Sequence, residues 1–481
     1  MNSSDQYETV IGLEVHAQLL TASKLFCSDT TAFGLPSNTQ VSAISLAHPG
    51  TLPKLNKEAI RLAITLGLAT HSQIVQHNYF ARKNYFYPDL PKGYQITQHT
   101  TPICKGGYVE ITVGKQKKAV QLNRIHIEED AGKSIHEGES DFTQLDFNRA
   151  GMPLVEIVTE PDLRSAEEAA AYVTTLRKLV RHLGVCDGNM EEGSFRCDVN
   201  ISVRKKGDEK LGTKVEIKNL NSIRFIKKAI EAESAQLIEK LENGESILQQ
   251  TKGLNETDFT TYVIRTKEDE DDYRYFPEPD LPPFIITEEQ IESIRQATPP
   301  LQSEIKERLI RQFSLSDYDS SQLAEDTELA AYFTKLTKET TSYKAAANWV
   351  IGPIKNYLAD ADKGADEIEI PPSYIAQLIS LIDEGIISYG IAIQKIFTHL
   401  IKHPQTNILQ YIQQENLQLQ SGNETDAFID AALTKYAQKI TDYKKGKKGL
   451  LSLFVGEVMR LSKGKANAEE VTKKLEEKLN Q

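Results

Sequence analysis

Four stretches of this chain alternate apolar residues with residues able to bind a cation or move a proton. In VIGLEVHAQL, Ile11, Leu13, Val15, Ala17 and Leu19 share one face of a strand, while Gly12, Glu14, His16 and Gln18 share the other. RIHIEEDAGKS sets Arg124, His126, Glu128 and Asp130 against Ile125 and Ile127. FRCDVNISVR sets Arg196, Asp198, Asn200 and Ser202 against Phe195, Cys197, Val199, Ile201 and Val203, and KVEIKNL sets Lys214, Glu216 and Lys218 against Val215 and Ile217. Any antiparallel sheet with one wet face produces polar alternation. A merely wet face, however, is freer to carry Lys, Thr, Ser or Gln than this mixture of carboxylates, histidine, asparagine and arginine. Glu156 lies inside PLVEIV, among apolar neighbours, where an unpaired carboxylate is costly and a cation is a natural partner. Carboxylates and water suit Mg²⁺, whereas direct ligation by His16 suits Mn²⁺ or another transition ion; the alternative is a His16 that holds a water of the ion.

A second cluster, RKNYFYPDLPKGYQITQ from Arg82 to Gln98, interleaves Tyr85, Phe86, Tyr87 and Tyr94 with Arg82, Lys83 and Lys92. That mixture fits stacked bases and gripped phosphates, but composition alone favours a rigid proline-bounded loop with aromatics in the core. No usual phosphate cradle accompanies it. AGKS at 131–134 ends like a P-loop, but Ile127 stands where the first glycine belongs, and no GxGxxG is present. Any triphosphate must then be held by the cation and by basic side chains.

The elements that position these residues can be read from periodicity. Up to about residue 290 the chain reads as strands and loops with two strong helices, an α+β pattern with a mainly antiparallel sheet. One helix starts at Ser165, with Glu168 in the capping-box position, carries Ala169, Val173, Leu176, Val180 and Leu183, and ends at Gly184. The other carries Ile223, Ile226, Ile230, Leu237 and Leu241 and stops at Gly244. After Pro277, Pro279, Pro282 and Pro283 nearly every segment has helical spacing. The expected domains are therefore 1–290, an all-helical 291–404 ending at His403-Pro404, and a small helical tail, 405–481. In that tail Leu450, Phe454, Val458 and Leu461 mark one helix, and Val471, Leu475 and Leu479, capped by Asn467 and Glu470, mark another.

Composition bounds the rest. At 481 residues the chain exceeds one hydrophobic core, and no apolar run is long enough for a membrane span. The opening MNSSDQYETV lacks a basic start and an apolar run, so a cytoplasmic location is expected. Four scattered cysteines without a CxxC pair argue against a disulfide framework or a cysteine zinc cluster. Net charge is −12, yet Lys435 to Gln481 holds 12 Lys+Arg against 6 Asp+Glu, including Lys444, Lys445, Lys447 and Lys448 and the turn bearing Lys463 and Lys465. Such a run is either a solvated helix face or a nucleic-acid contact.

YETVIGLEVHAQLLTASKLF, FARKNYFYPDLPKGYQITQ, IHIEEDAGKS, DFNRAGMPLVEIVTEPD, MEEGSFRCDVNISVR, TKVEIKNLNSIRFIKKAI and DDYRYFPEPDL together resemble the signature blocks of the GatB family, in the family's order. NWVIGPIKNYL and LFVGEVMRLSKGKAN are similar to its helical domain and YqeY-like tail. The resemblance implies a cradle-shaped catalytic domain, a helical domain and a tail that reaches tRNA. It implies a heterotrimer with an amidase A subunit and a small C subunit, in which the γ-carboxylate of Glu-tRNA(Gln) or the β-carboxylate of Asp-tRNA(Asn) is phosphorylated by ATP and then aminated by channelled ammonia. On that basis Glu14, His16, Glu128 and Glu129, with Glu156, are expected around Mg²⁺ or Mn²⁺, although strand alternation makes either Glu128 or Glu129 a bystander. Lys83, Lys133 and Arg149 are expected to bind ATP phosphates or the acceptor carboxylate, with Asp198 and Glu216 holding these cations or guiding ammonia. Lys444, Lys445, Lys447, Lys448, Lys463 and Lys465 are expected to contact tRNA. Many family members carry a four-cysteine knuckle that is reduced here to Cys27 in FCSDTTAFGLPSNTQVSAISLAHPG, so zinc is not expected and the order of that loop is expected to come from packing. A lone carboxylate-activating ligase and a non-catalytic RNA-binding adaptor remain as alternatives.

Overall fold

A strand buried on one face needs neighbours that bury the same face, and the alternating segments supply them. In the computed structural model, which describes residues 6–135, 142–266, 273–361, 363–364, 367–419 and 423–480, they join one sheet. Residues 1–5 of the opening segment and Asp271-Asp272 of the segment DDYRYFPEPDL lie outside the described residues. The main strands are β1 (Tyr7–Gln18), β2 (Ala81–Asn84), β3 (Tyr94–Thr97), β4 (Gln116–Glu129), β5 (Pro153–Thr159), β6 (Phe195–Lys205), β7 (Val215–Leu220), β8 (Gln250–Leu254), β9 (Thr261–Thr266) and β10 (Phe276–Pro277). They run in the order β9-β8-β7-β6-β1-β5-β4-β3-β2-β10, and every pairing along that path is antiparallel except β7 with β8. The expected mixed fold with a large, mostly antiparallel sheet and a helical C-terminal region is borne out.

Helices cover the apolar face. Helix α1 (Lys57–Ala69) was not expected; it is capped by Asn56, whose side chain accepts the Glu58 N–H, and is buried nearly all round, so it shows no polar stripe. Helix α2 (Ala166–His182) starts at the expected Ser165, which accepts the Glu168 N–H. Glu168 itself turns to the Arg164 N–H and to Lys118 instead of closing the box on Ser165. Gly184, at φ +63, ends it as a left-handed residue that only glycine adopts cheaply. Helix α3 (Ile223–Glu242) packs on β6, and α2 on β1. Each fully buried Leu, Ile or Val on these faces contributes roughly 1.5–3 kcal/mol. The opposite face of β1, β4, β5, β6 and β7 is left to the charged side chains.

The chain divides into two compact units, Met1–Pro299 and Pro300–Gln481, so helix α4 (Glu288–Ala297) belongs to the first. The second unit is helical among its described residues and has two apolar cores. One spans Ile305 to Leu417 around Phe333 and Trp349; the other spans Ile429 to Leu479 around Phe454. A helix does end at Lys402, before His403-Pro404, but Ile408, Ile412 and Leu417 join the first core. The change of core thus falls between Leu417 and Ile429, not at Pro404. The two expected tail helices are present at Leu451–Leu461 and Ala468–Asn480, the latter capped by the Asn467 side chain. No described helix is long and apolar enough to cross a membrane.

The loop that contains Cys27, expected to take its order from packing, is held largely by polar contacts. Buried Lys24 donates to the carbonyls of Gln40 (2.7 Å) and Phe147 (3.3 Å). The Gln40 amide donates to the Thr30 and Ala32 carbonyls at 3.1 and 2.8 Å, and Asn148 accepts the Gln40 N–H at 2.8 Å. Burial pushes the Lys24 ammonium below its usual range, against the pull of Cys27 and Asp29. Replacing Lys24 by Met takes the ammonium from the Gln40 carbonyl, while the Phe147 carbonyl keeps the Ala150 N–H, and we expect a loss of about 1–3 kcal/mol in urea denaturation with faster proteolysis between residues 27 and 50. An unchanged midpoint and an unchanged cleavage pattern would show that the loop does not depend on this lysine.

Candidate active site

Register places the charged residues in rows across the sheet. His126 of β4 stands opposite Glu156 of β5, Glu156 opposite His16 of β1, and His16 opposite Arg196 of β6. The Nε2 of His16 lies 3.5 Å from Glu156 and 3.7 Å from Glu128; the Nε2 of His126 lies 3.3 and 3.5 Å from the same two carboxylates. Burial alone would lower a histidine pKa, but here the carboxylates outweigh it, raising His16 and pushing His126 up to about 9. Burial opposes ionisation of Glu156, yet His126 and His16 hold its carboxyl well below the usual range.

One ligand atom each from His16, Glu128 and Glu156 lies within 4.8 Å of the others, a spacing that can close on one metal ion. The residues fit such an ion on a second count: the Nδ1 atoms of both histidines are buried without a hydrogen-bond partner. The donor set of imidazole and carboxylate accommodates Mn²⁺ as readily as Mg²⁺.

Glu14, Asp198 and Glu216 form a second acidic group, also within 4.8 Å of one another. Asn200 donates to Glu14 at 2.7 Å. Burial and the nearby Glu156 raise the Glu14 carboxyl, which therefore keeps its proton to higher pH. Into this group reaches Lys218 of β7, its Nζ 3.2 Å from Asp198 and 3.1 Å from Glu216. Beside it opens a polar cavity of about 490 Å³ lined by the cations Lys83, Lys218 and Arg265 and by Tyr85, Tyr87 and Tyr273, with Phe86 at its rim, 84% exposed. Lys83 Nζ sits 4.8 Å from the centre of the Tyr273 ring and feels Glu128 and Glu156 from behind.

A family model described as the GatB/GatE catalytic domain matches residues 9–292, and one described as a GatB domain matches residues 331–479. The chain belongs to the GatB family. Curated relatives named as the B subunits of aspartyl/glutamyl-tRNA(Asn/Gln) amidotransferases include those of Variovorax paradoxus, 47% identical over 98% of this chain and 99% of its own length, and Caldicellulosiruptor saccharolyticus, 45% identical over 98% and 99%. That of Thermodesulfovibrio yellowstonii is 44% identical over 96% of this chain and 97% of its own length. The resemblance read from the signature blocks is borne out.

Within this GatB chain the expected site residues separate. His16, Glu128 and Glu156 come together, while Glu14 joins the neighbouring acidic group. Glu129 leaves the set: alternation turns it to the other face, where it accepts from Lys92 and from the Ile96 N–H. Asp198 and Glu216 hold Lys218, not Lys83 or Arg149. Arg149 instead donates to the Ala131 and Gly132 carbonyls and lies 3.5 Å from Asp130, which Arg196 grips at 2.9 and 3.0 Å. Lys133 stands opposite Asp146 in a separate two-stranded hairpin. Arg82 proves structural, donating to Glu278 at 2.7 and 2.8 Å. Lys444, Lys445, Lys447, Lys448 and Lys463 are exposed and Lys465 is half-buried. His126 and Lys218 were visible as members of charged faces; nothing in one strand's spacing revealed their partners on others.

Because the folded pKa of His126 is raised, the stability it contributes is fully present below its unfolded value of 6.5 and is lost as pH rises towards 9. In chelator, urea denaturation should therefore show a steeper stability loss between about pH 6 and about pH 9.5 for the native chain than for His126→Gln. Parallel losses in the two proteins would remove this histidine from the account.

Proposed function

We propose that this chain is the B subunit of a tRNA-dependent amidotransferase that activates the side-chain carboxylate of Glu-tRNA(Gln) or Asp-tRNA(Asn) with ATP and then forms the amide. The carrying observation is the His16, Glu128 and Glu156 cluster next to a cavity whose charged lining is wholly cationic among the described residues. A carboxylate is a poor acyl donor, and transfer of the γ-phosphoryl group to its oxygen releases ADP and supplies a leaving group. Ammonia then attacks the carbonyl carbon, phosphate departs, and the extra proton goes to solvent or a nearby base.

His16, Glu128 and Glu156 would hold a divalent cation, which neutralises phosphate charge during transfer. Lys83, braced by Tyr273 and by the field of Glu128 and Glu156, faces the cavity as a phosphate-binding ammonium. The tyrosines offer flat surfaces for a base. The C-terminal segment 435–481, with the exposed lysines Lys444, Lys445, Lys447 and Lys448, supplies a basic surface for tRNA, as expected of a YqeY-like tail, and the sheet domain serves as the family's cradle. Ammonia comes from an amidase A subunit with a C subunit completing the heterotrimer, in the cytoplasm.

The test is amidation by the chain co-expressed with A and C subunits, using glutamine or ammonium chloride as donor and following ADP release. His16→Ala should lower ATP-dependent amidation by about a hundredfold or more with either donor and leave tRNA binding intact. A folded complex that binds tRNA yet consumes no ATP and forms no amide would instead be an adaptor.

A further inference from the structure

Lys218 is the one cavity-lining cation, among the described residues, that two buried carboxylates aim. Its strand, β7, breaks register against β6 between Cys197 and Val199, and Asn219 adopts the left-handed conformation at φ +60, unusual for a residue with a Cβ. Asp198 stabilises that turn, accepting the Asn219 N–H at 2.9 Å with one oxygen and the Lys218 ammonium at 3.2 Å with the other. Glu216, fixed by the Thr251 hydroxyl at 3.1 Å, accepts from Lys218 at 3.1 Å. Burial works against the charge of Lys218, but Asp198 and Glu216 more than restore it, so it stays an ammonium at any working pH.

An ammonium has three donors. Two go to Asp198 and Glu216, and the third has no acceptor among the described residues, on a side chain that is 32% exposed and borders the cavity with Lys83 and Arg265. A lysine that served only to neutralise the acidic group would not need to open onto a cavity whose described lining holds no acid. Its placement matches a ligand with several negative oxygens.

We propose that Lys218 is a catalytic residue of the phosphoryl-transfer step, donating its third N–H to a phosphate oxygen of the nucleoside triphosphate while Asp198 and Glu216 act as positioning residues that fix its direction. This rests on the proposed ATP-dependent reading and assigns a role within it.

The test uses the assembled three-subunit complex. Lys218→Met should raise the KM for ATP about ten- to a hundredfold, the worth of a charge-assisted hydrogen bond, with the KM for glutamine unchanged. Because Met removes the cation that Asp198 and Glu216 share, a second variant keeps the charge: Lys218→Arg should bring the KM for ATP back to within about tenfold of the native value, with the KM for glutamine again unchanged. A folded Lys218→Met complex with native ATP kinetics, or a folded Lys218→Arg complex whose KM for ATP is no better than that of Lys218→Met, would overturn the assignment while sparing the ATP-dependent reading. If the native complex neither binds ATP nor uses it, both fall together.

Discussion

Glu156 is the residue around which the charged face is organised. An ionised carboxylate buried in a sheet interior costs several kcal/mol unless it is paired and hydrogen-bonded. Its partners, His16 and His126, come from the strands on either side, each directly opposite it. That arrangement works only if β1, β4 and β5 keep one register, and a slip of one residue would put Val15 or Ile127 where a histidine belongs. The apolar faces enforce the same register independently, since Ile11, Leu13, Val15 and Ala17 are all essentially inaccessible under the helices. Packing energy on one side of the sheet thus stabilises an electrostatic arrangement on the other.

The face is graded across its width. Around His16, His126, Glu128 and Glu156 the protein supplies groups that invite a cation, and around Glu14, Asp198 and Glu216 it supplies its own cation in Lys218. Farther along, Asp130 is neutralised by Arg196, with Arg149 close by, and its carboxyl is pushed down to about 2, though burial opposes this. The three carboxylate groups therefore differ in how much positive charge they still lack. That difference, more than the number of acidic residues, decides where an external ion and a polyanion can settle side by side.

Local signals carried the reading of single elements well. Ser165 and Gly184 bracket α2 because an N-cap hydroxyl and a left-handed glycine act within one turn of the chain. The face of each charged strand was legible for the same reason, alternation being a property of the strand itself. Pairings were not legible, since Glu156 meets residues far away in sequence and nothing near it encodes them. Helix α1 escaped because burial on nearly all sides erases its stripe. Pro404 was read correctly as a helix stop, but a stop does not say which core the next helix joins. The partners of Lys218 were hidden by the backbone turn at Asn219, which depends on Asp198 from another strand.

The loop between Cys27 and Gly50 is fastened by a clasp that uses no thiolate pair. Its order rests on one ammonium and several amides and hydroxyls, with a single thiol, Cys27, in the segment. Peroxide and thiol-exchange reagents attack thiolates and leave amides and ammonium groups unchanged. Oxidative stress, which can unfasten a thiolate clasp residue by residue, finds little here to modify, and the loop's persistence becomes a matter of folding stability alone.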